Sequence, residues 1–129
     1  MQAIRSKNTK PELYVRRLLH KIGYRFSLHK KELPGQPDIV FTRRRKVVFI
    51  HGCFWHSHAD PACKNAARPR TNRDYWDTKL DNTRQRDDRA VNALQEMGWS
   101  ILILWECELG SEDTLKRQLC SFLGAPRAT

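Results

Sequence analysis

The segment His51-Gly52-Cys53-Phe54-Trp55-His56-Ser57-His58-Ala59-Asp60-Pro61-Ala62-Cys63 gathers three of the five histidines and two of the four cysteines into one short stretch. Ordinary packing has little use for that mixture. It sets metal ligands, groups that titrate near neutral pH and flat apolar rings side by side. Cys53-x4-His58-x4-Cys63, joined by Cys107 after the last apolar run, supplies three thiolates and one imidazole. Soft sulfur selects Zn²⁺ over Mg²⁺, and four protein ligands leave no open position, so the chemistry expected is a structural zinc site. The competing reading, small buried apolar cysteines, suits Cys120 on the apolar side of the final helix better than Cys53 or Cys63.

A second set of residues suits a harder ion. Asp38 follows the Gly/Pro-rich loop Leu33-Pro34-Gly35-Gln36-Pro37, where its carboxylate can bind Mg²⁺ and bring it to a phosphodiester. Once His58 is given to zinc, His51 and His56 remain, and either can deprotonate water or contact a phosphate near neutral pH. Asp87, in a long helical stretch, is a candidate to orient one of those imidazoles. Singly, Asp38 also reads as a turn aspartate and Asp87 as a solvated charge among Arg84, Arg86 and Arg89. Phe54 and Trp55, braced by zinc, can act as rigid wedges between base steps or as core residues, and Trp76 can join them.

These groups need elements to position them. Asn8 or Thr9 can cap a helix from near Pro11 with Leu13, Leu18, Leu19 and Ile22 as its buried stripe, stopped at Gly23. Tyr24–Leu28 alternates like a strand. Ile39–Thr42 and Lys46–Ile50 read as a hairpin whose turn centres between Arg44 and Arg45, so that facing residue numbers sum to 89 and Asp38 lies opposite His51. A helix is predicted from about Arg73 to Met97, capped by Thr71-Asn72, with a break near Asn82-Thr83 and a stop at Gly98. Trp99–Trp105 reads as a central strand buried on both faces, and Ser111 starts a last helix bearing Leu115, Leu119 and Phe122. The order helix, three strands, helix, strand, helix predicts a mixed-sheet α/β domain.

At 129 residues the chain is expected to form a single domain, 1–129, with residues 1–10 as a basic arm. Its apolar runs are too short to span a bilayer and its start has no signal-peptide core, so a cytoplasmic protein with reduced thiols and no membrane insertion is expected. The net charge is +10, and all of the excess lies in the first fifty residues. A polyanion is the natural partner for such an excess, although charge alone does not choose among DNA, RNA and membrane.

LPGQPDIVF (Leu33–Phe41), VVFIHGCFWHSH (Val47–His58), TNRDYW (Thr71–Trp76), RDDR (Arg86–Arg89) and GWSILILWEC (Gly98–Cys107) together resemble the very-short-patch repair (Vsr) mismatch endonucleases. The resemblance runs in order from about Met1 to Cys107. It implies a restriction-endonuclease-like α/β core, a central mixed sheet flanked by helices, with structural Zn²⁺ on Cys53, His58, Cys63 and Cys107. It implies nicking of one strand of double-stranded DNA 5′ to the thymine of a T:G mismatch, with Mg²⁺, leaving a 5′-phosphate. Asp38 then resembles the Mg²⁺-binding aspartate, and Ile50 the residue whose backbone carbonyl completes that site. His56 resembles the water-activating histidine, Asp87 its carboxylate partner, His51 the histidine near the phosphate, and Glu12 an acidic residue close to the active site. Phe54, Trp55 and Trp76 resemble the wedging aromatics.

The same resemblance implies a monomer on DNA, nucleoid-associated in a bacterial cytoplasm. It also implies a functional link to a DNA cytosine methyltransferase and to mismatch-repair proteins, without saying whether the latter dock on this chain. Family members usually carry residues before the position matching Met1, so the arm is expected to be a shortened one. Ile50 replaces a threonine of some members, Ser57 replaces a histidine, and the His58–Cys63 loop is longer; the zinc ligands survive these changes. The competing expectations are an endonuclease with another lesion or sequence specificity, and a zinc-containing DNA-binding module without catalysis.

Overall fold

The structure is a computed structural model that describes residues 9–53 and 70–124. Its elements follow the predicted order: α1 (Lys10–Lys21), β1 (Ser27–Leu28), β2 (Ile39–Phe41), β3 (Lys46–His51), α2 (Arg73–Glu96), β4 (Ser100–Trp105) and α3 (Glu112–Leu123). A single 3₁₀ turn, Glu106–Glu108, follows β4. The strands form one sheet in the order β1-β2-β3-β4, antiparallel except for the parallel β3–β4 pair. The architecture is therefore mixed α/β, with the four-stranded sheet between helices.

Side-chain alternation along the strands divides the core in two. Ile39, Phe41, Val48 and Leu104 face a cluster with Val15, Leu18 and Leu19 of α1 and Leu115, Leu119 and Leu123 of α3. Val40, Val47 and Phe49 face a second cluster with Leu33, Leu94 of α2 and Trp99, against which Ile101 and Ile103 pack. Each strand thus contributes every second residue to each layer, as the pleat requires. Burying an aliphatic or aromatic side chain contributes about 1.5–3 kcal/mol, so these two layers supply most of the drive to fold.

Caps set the starts of α1 and α3 as predicted, whereas Asn72 at the start of α2 sits at φ +53° and makes no side-chain cap hydrogen bond. The Thr9 hydroxyl accepts from the Glu12 N–H at 3.3 Å, and the Ser111 hydroxyl accepts from the Thr114 N–H at 3.3 Å. Gly23 adopts φ +100°, the left-handed conformation that ends α1. The stripe of α1 differs by a fraction of a turn from the prediction: Glu12, Val15, Leu18 and Leu19 are buried, whereas Leu13 is exposed. Tyr24–Leu28 contributes only two paired residues, because Tyr24 turns into the core and donates its hydroxyl hydrogen to the Gly124 carbonyl. Burial pushes the Tyr24 hydroxyl above its ordinary pKa, and neighbouring Cys120 pushes it the same way.

Three expectations are corrected. The β2–β3 register pairs Ile39 with Val48, Val40 with Val47 and Phe41 with Lys46, so facing numbers sum to 87. A four-residue loop, closed by the Arg45 N–H donating to the Thr42 carbonyl at 3.2 Å with Arg45 at φ +55°, replaces the two-residue turn. Asp38 consequently lies opposite Phe49 rather than His51. The shift is two residues, so every side chain keeps its face.

The second correction is to β4, which lies at an edge of the sheet. Leu102 and Leu104 pack on one cluster and Ile101 and Ile103 on the other, but only Leu104 is fully buried, and among the described strands β4 pairs only with β3. The third concerns α2, which is continuous through Asn82-Thr83. Trp76, Leu80, Thr83, Asp87, Ala90 and Leu94 recur at four- and three-residue steps and are the buried or half-buried residues of one seam. The helix needs no break because a single seam of buried and half-buried residues runs through it. No helix among the described residues is long and apolar enough to cross a membrane.

Candidate active site

The open end of the hairpin, away from its turn, brings three elements together. The loop before β2 is fixed first. Gly35 has φ +75°, and a Cβ there would stand 2.7 Å from the Ala90 Cβ and 3.3 Å from the Phe49 ring. Only glycine fits both the conformation and the space. The loop is therefore seated against α2 and β3, and it delivers Asp38 to the sheet end. The Asp38 Oδ2 accepts from the Ile50 N–H at 2.7 Å, locking the carboxylate across the strand pair. Within a strand one residue's N–H and C=O project to the same edge, so the Ile50 carbonyl also faces the β2 side.

Glu12 arrives from the first turn of α1. It is 1% exposed, and the helix N-terminus and the adjoining Arg16 guanidinium offset the cost of burying its charge. His29 arrives from the residue after β1, held at φ +46°. Its Nε2 stands 2.6 Å from the Glu12 Oε2 and 3.9 Å from the Asp38 Oδ1. One ligand atom from each of Glu12, His29 and Asp38 lies within 4.8 Å of the other two. The His29 Nε2 is buried yet has no aligned hydrogen-bond partner. Two carboxylates and a buried ring nitrogen so close together form a donor set that fits a divalent cation.

The predicted residues are distributed unevenly around this centre. Asp38 and Glu12 are in it, and the Ile50 peptide adjoins it. His51, 5% exposed, ends β3 with its ring edge-on to Trp105 at 5.1 Å and tilted toward Phe49 at 5.7 Å. Its strand position gives it the α2 side of the sheet, whereas Glu12 comes from the α1 side. Asp87 is half-buried and stands seven residues from both Leu80 and Leu94, which are fully buried. It therefore belongs to the inward seam of α2 rather than to a solvated face. Trp76 starts the same seam half-buried, edge-on to Tyr75 at 5.1 Å, and Tyr75 is the more exposed ring of the two.

Of the predicted zinc ligands, Cys53 and Cys107 lie at the ends of neighbouring parallel strands. The β3–β4 register joins His51 to Trp105, and each cysteine stands two residues further on. Cys53 is buried and Cys107 exposed. His58 and Cys63, together with Phe54, Trp55 and His56, lie outside the described residues.

His29 is the residue of this centre that sequence reasoning missed. Its place depends on a left-handed backbone and on the way α1 meets the sheet, and neither leaves a mark in spacing. A histidine next to a short strand and tolerant of positive φ is a weak signal that could have raised it.

The sequence itself is matched along its length. The profile of the family described as DNA mismatch endonuclease Vsr matches residues 1–62. A type II nicking enzyme, V.XorIIP, of Xanthomonas oryzae pv. oryzae is 50% identical over 123 residues, covering 95% of this chain and 88% of the relative. A type II nicking enzyme of Neisseria meningitidis, V.NmeAIP, is 38% identical over 119 residues, 92% of this chain and 83% of its own. The DNA mismatch endonuclease Vsr of Escherichia coli is 39% identical over 115 residues, 89% of this chain and 72% of its own. With identity of this level over nearly the whole chain, the chain belongs to the Vsr family of DNA mismatch endonucleases.

Proposed function

We propose that this protein is a DNA endonuclease that nicks one strand of a duplex 5′ to the thymine of a T:G mismatch, leaving a 5′-phosphate and a 3′-hydroxyl. The observation that carries the hydrolytic part is the convergence of Asp38, Glu12 and the Ile50 peptide at one sheet end. The names of the E. coli and Xanthomonas relatives support cutting of DNA and of a single strand.

Asp38 and the Ile50 carbonyl would hold Mg²⁺. When bound, the ion supplies Lewis-acid polarisation of the phosphodiester and neutralises charge on its oxygens. The protein's own part is positioning. Asp38, clamped on the Ile50 N–H, has its carboxylate fixed at the sheet end, and Glu12 adds negative charge that favours a cation. His51 serves to contact the scissile phosphate. His56, oriented by Asp87, serves to take the proton from the attacking water. Cys53, His58, Cys63 and Cys107 would hold Zn²⁺ as a structural ion, and Phe54, Trp55 and Trp76 serve as the wedging aromatics. The core is of the restriction-endonuclease type, and the enzyme works as a monomer in the bacterial cytoplasm alongside a cytosine methyltransferase.

The test is nicking of T:G, fully matched and abasic duplexes by the purified chain, with Mg²⁺ and with a chelator. Single-strand cleavage confined to T:G duplex and abolished by chelator is expected. Equal cutting of matched DNA sinks the mismatch assignment. Cutting governed by sequence context instead favours a second reading, a nicking enzyme of another specificity, to which the name of the Xanthomonas relative lends weight. Elemental analysis is expected to find about one zinc per chain.

A further inference from the structure

The divalent-ion site contains a group that the nuclease reading leaves unused. His29 sits between the two carboxylates, with its Nε2 nearer to Glu12 than a hydrogen bond requires and not aligned for one. Simple charge balance does not account for the ring, because Arg16 already pairs with Glu12 and the Ile50 N–H already satisfies one oxygen of Asp38. The ring is also held against a conformational cost. A non-glycine residue at φ +46° is uncommon, and such strain persists only where the surroundings enforce it.

The geometry points to His29 as a nitrogen ligand of the ion held by Asp38 and Glu12, making the site a mixed one that favours Mn²⁺ over Mg²⁺. This inference rests on the proposed metal site at Asp38. Donors around a six-coordinate ion with bonds of about 2.1 Å stand roughly 3–4 Å apart, or about 4.2 Å when opposite one another. The three donor atoms already fall within 4.8 Å of one another, and the 2.6 Å Glu12–His29 separation needs only a small opening. Imidazole binds the later first-row ions more strongly than it binds Mg²⁺, which prefers oxygen and retains its waters. A third protein donor of this kind therefore shifts selectivity as well as affinity.

The experiment uses Mn²⁺ as the probe with the full chain. Pulsed electron paramagnetic resonance of bound Mn²⁺ is expected to show ¹⁴N coupling from a directly bound imidazole. The coupling is expected to vanish in His29→Asn, an exchange that suits the left-handed backbone, and to persist in His51→Gln. Mn²⁺ affinity is expected to fall on the order of tenfold in His29→Asn, while Mg²⁺ affinity changes little. Absence of ¹⁴N coupling in the unaltered protein overturns the inference whatever the variant does to folding. Coupling that survives His29→Asn also overturns it. In both cases, Mn²⁺ binding that is lost in Asp38→Ala leaves the Asp38 site standing. Binding indifferent to Asp38→Ala removes both readings.

Discussion

The two ends of the β2–β3 hairpin carry similar densities of charge and use it in opposite ways. At the turn, Arg44 donates to the Leu123 carbonyl at 2.8 Å, Arg45 to the Met97 carbonyl at 2.6 Å, and Lys46 to the Phe122 carbonyl. Each cation also lies over an aromatic ring, Tyr24, Trp99 and Phe122 in turn. These bonds satisfy carbonyls at the C-terminal ends of α2 and α3, where positive charge is favoured. At the open end, Asp38 meets Glu12 and His29, and charge faces charge. Backbone carbonyls take up the first set, whereas the second gathers two carboxylates and a ring nitrogen within reach of one another. The difference teaches that the basic excess of the first fifty residues is not wholly a DNA footprint, since part of it holds helices to the sheet.

Substitutions at the two ends should therefore dissociate activity from stability. The largest effect is expected from Asp38→Asn, which keeps an acceptor for the Ile50 N–H and removes the charge. Nicking should fall about a thousandfold, roughly 4 kcal/mol of transition-state stabilisation, with the melting temperature little changed. Single-turnover rates beside a thermal melt check both halves, and near-normal nicking breaks the comparison from the active side.

Gly35→Ala comes next because it strikes the loop that seats Asp38. Its Cβ must enter space held by Ala90 and Phe49 and adopt positive φ, so a loss of about 3 kcal/mol is expected in denaturant unfolding. Unaltered stability there shows that the loop can shift away, which also loosens the argument for a fixed Asp38.

The smallest effect is expected from Arg44→Ala, about 1–2 kcal/mol of stability from a lost hydrogen bond and ring contact. The salt dependence of DNA binding should stay the same. Were Arg44 a phosphate contact, the logarithmic salt slope would drop by about one, and the turn would rejoin the DNA-binding surface.

Much of this arrangement was legible in the sequence, and the parts that were not share a cause. Element order, the Thr9 and Ser111 caps and the split of strand residues between two layers follow from local chemistry and period-two alternation. The register was misread because Arg43-Arg44-Arg45 contains no Asn-Gly or Asp-Gly signal to fix the turn length, and a non-glycine residue takes positive φ there. The edge position of β4 was hidden because parallel strands covered on both faces look alike in sequence wherever they sit. Burial of Glu12 depends on how α1 meets the sheet. Asp38 was legible because its Gly/Pro loop marked a chain reversal. His29 was not, since long-range packing alone gives it a purpose.

The seam of α2 has a geometric meaning for any duplex that approaches. Trp76 and Asp87 lie on one face of an unbroken helix, eleven residues apart. At about 1.5 Å per residue that is about 16 Å, close to five base-pair steps at about 3.4 Å each. On the roles proposed for these two residues, the helix would act as a ruler, fixing the interval between a base-contacting aromatic and the carboxylate that orients His56. Inserting one residue between them would turn the two ends out of phase by about 100°, leaving each locally intact and the measurement lost.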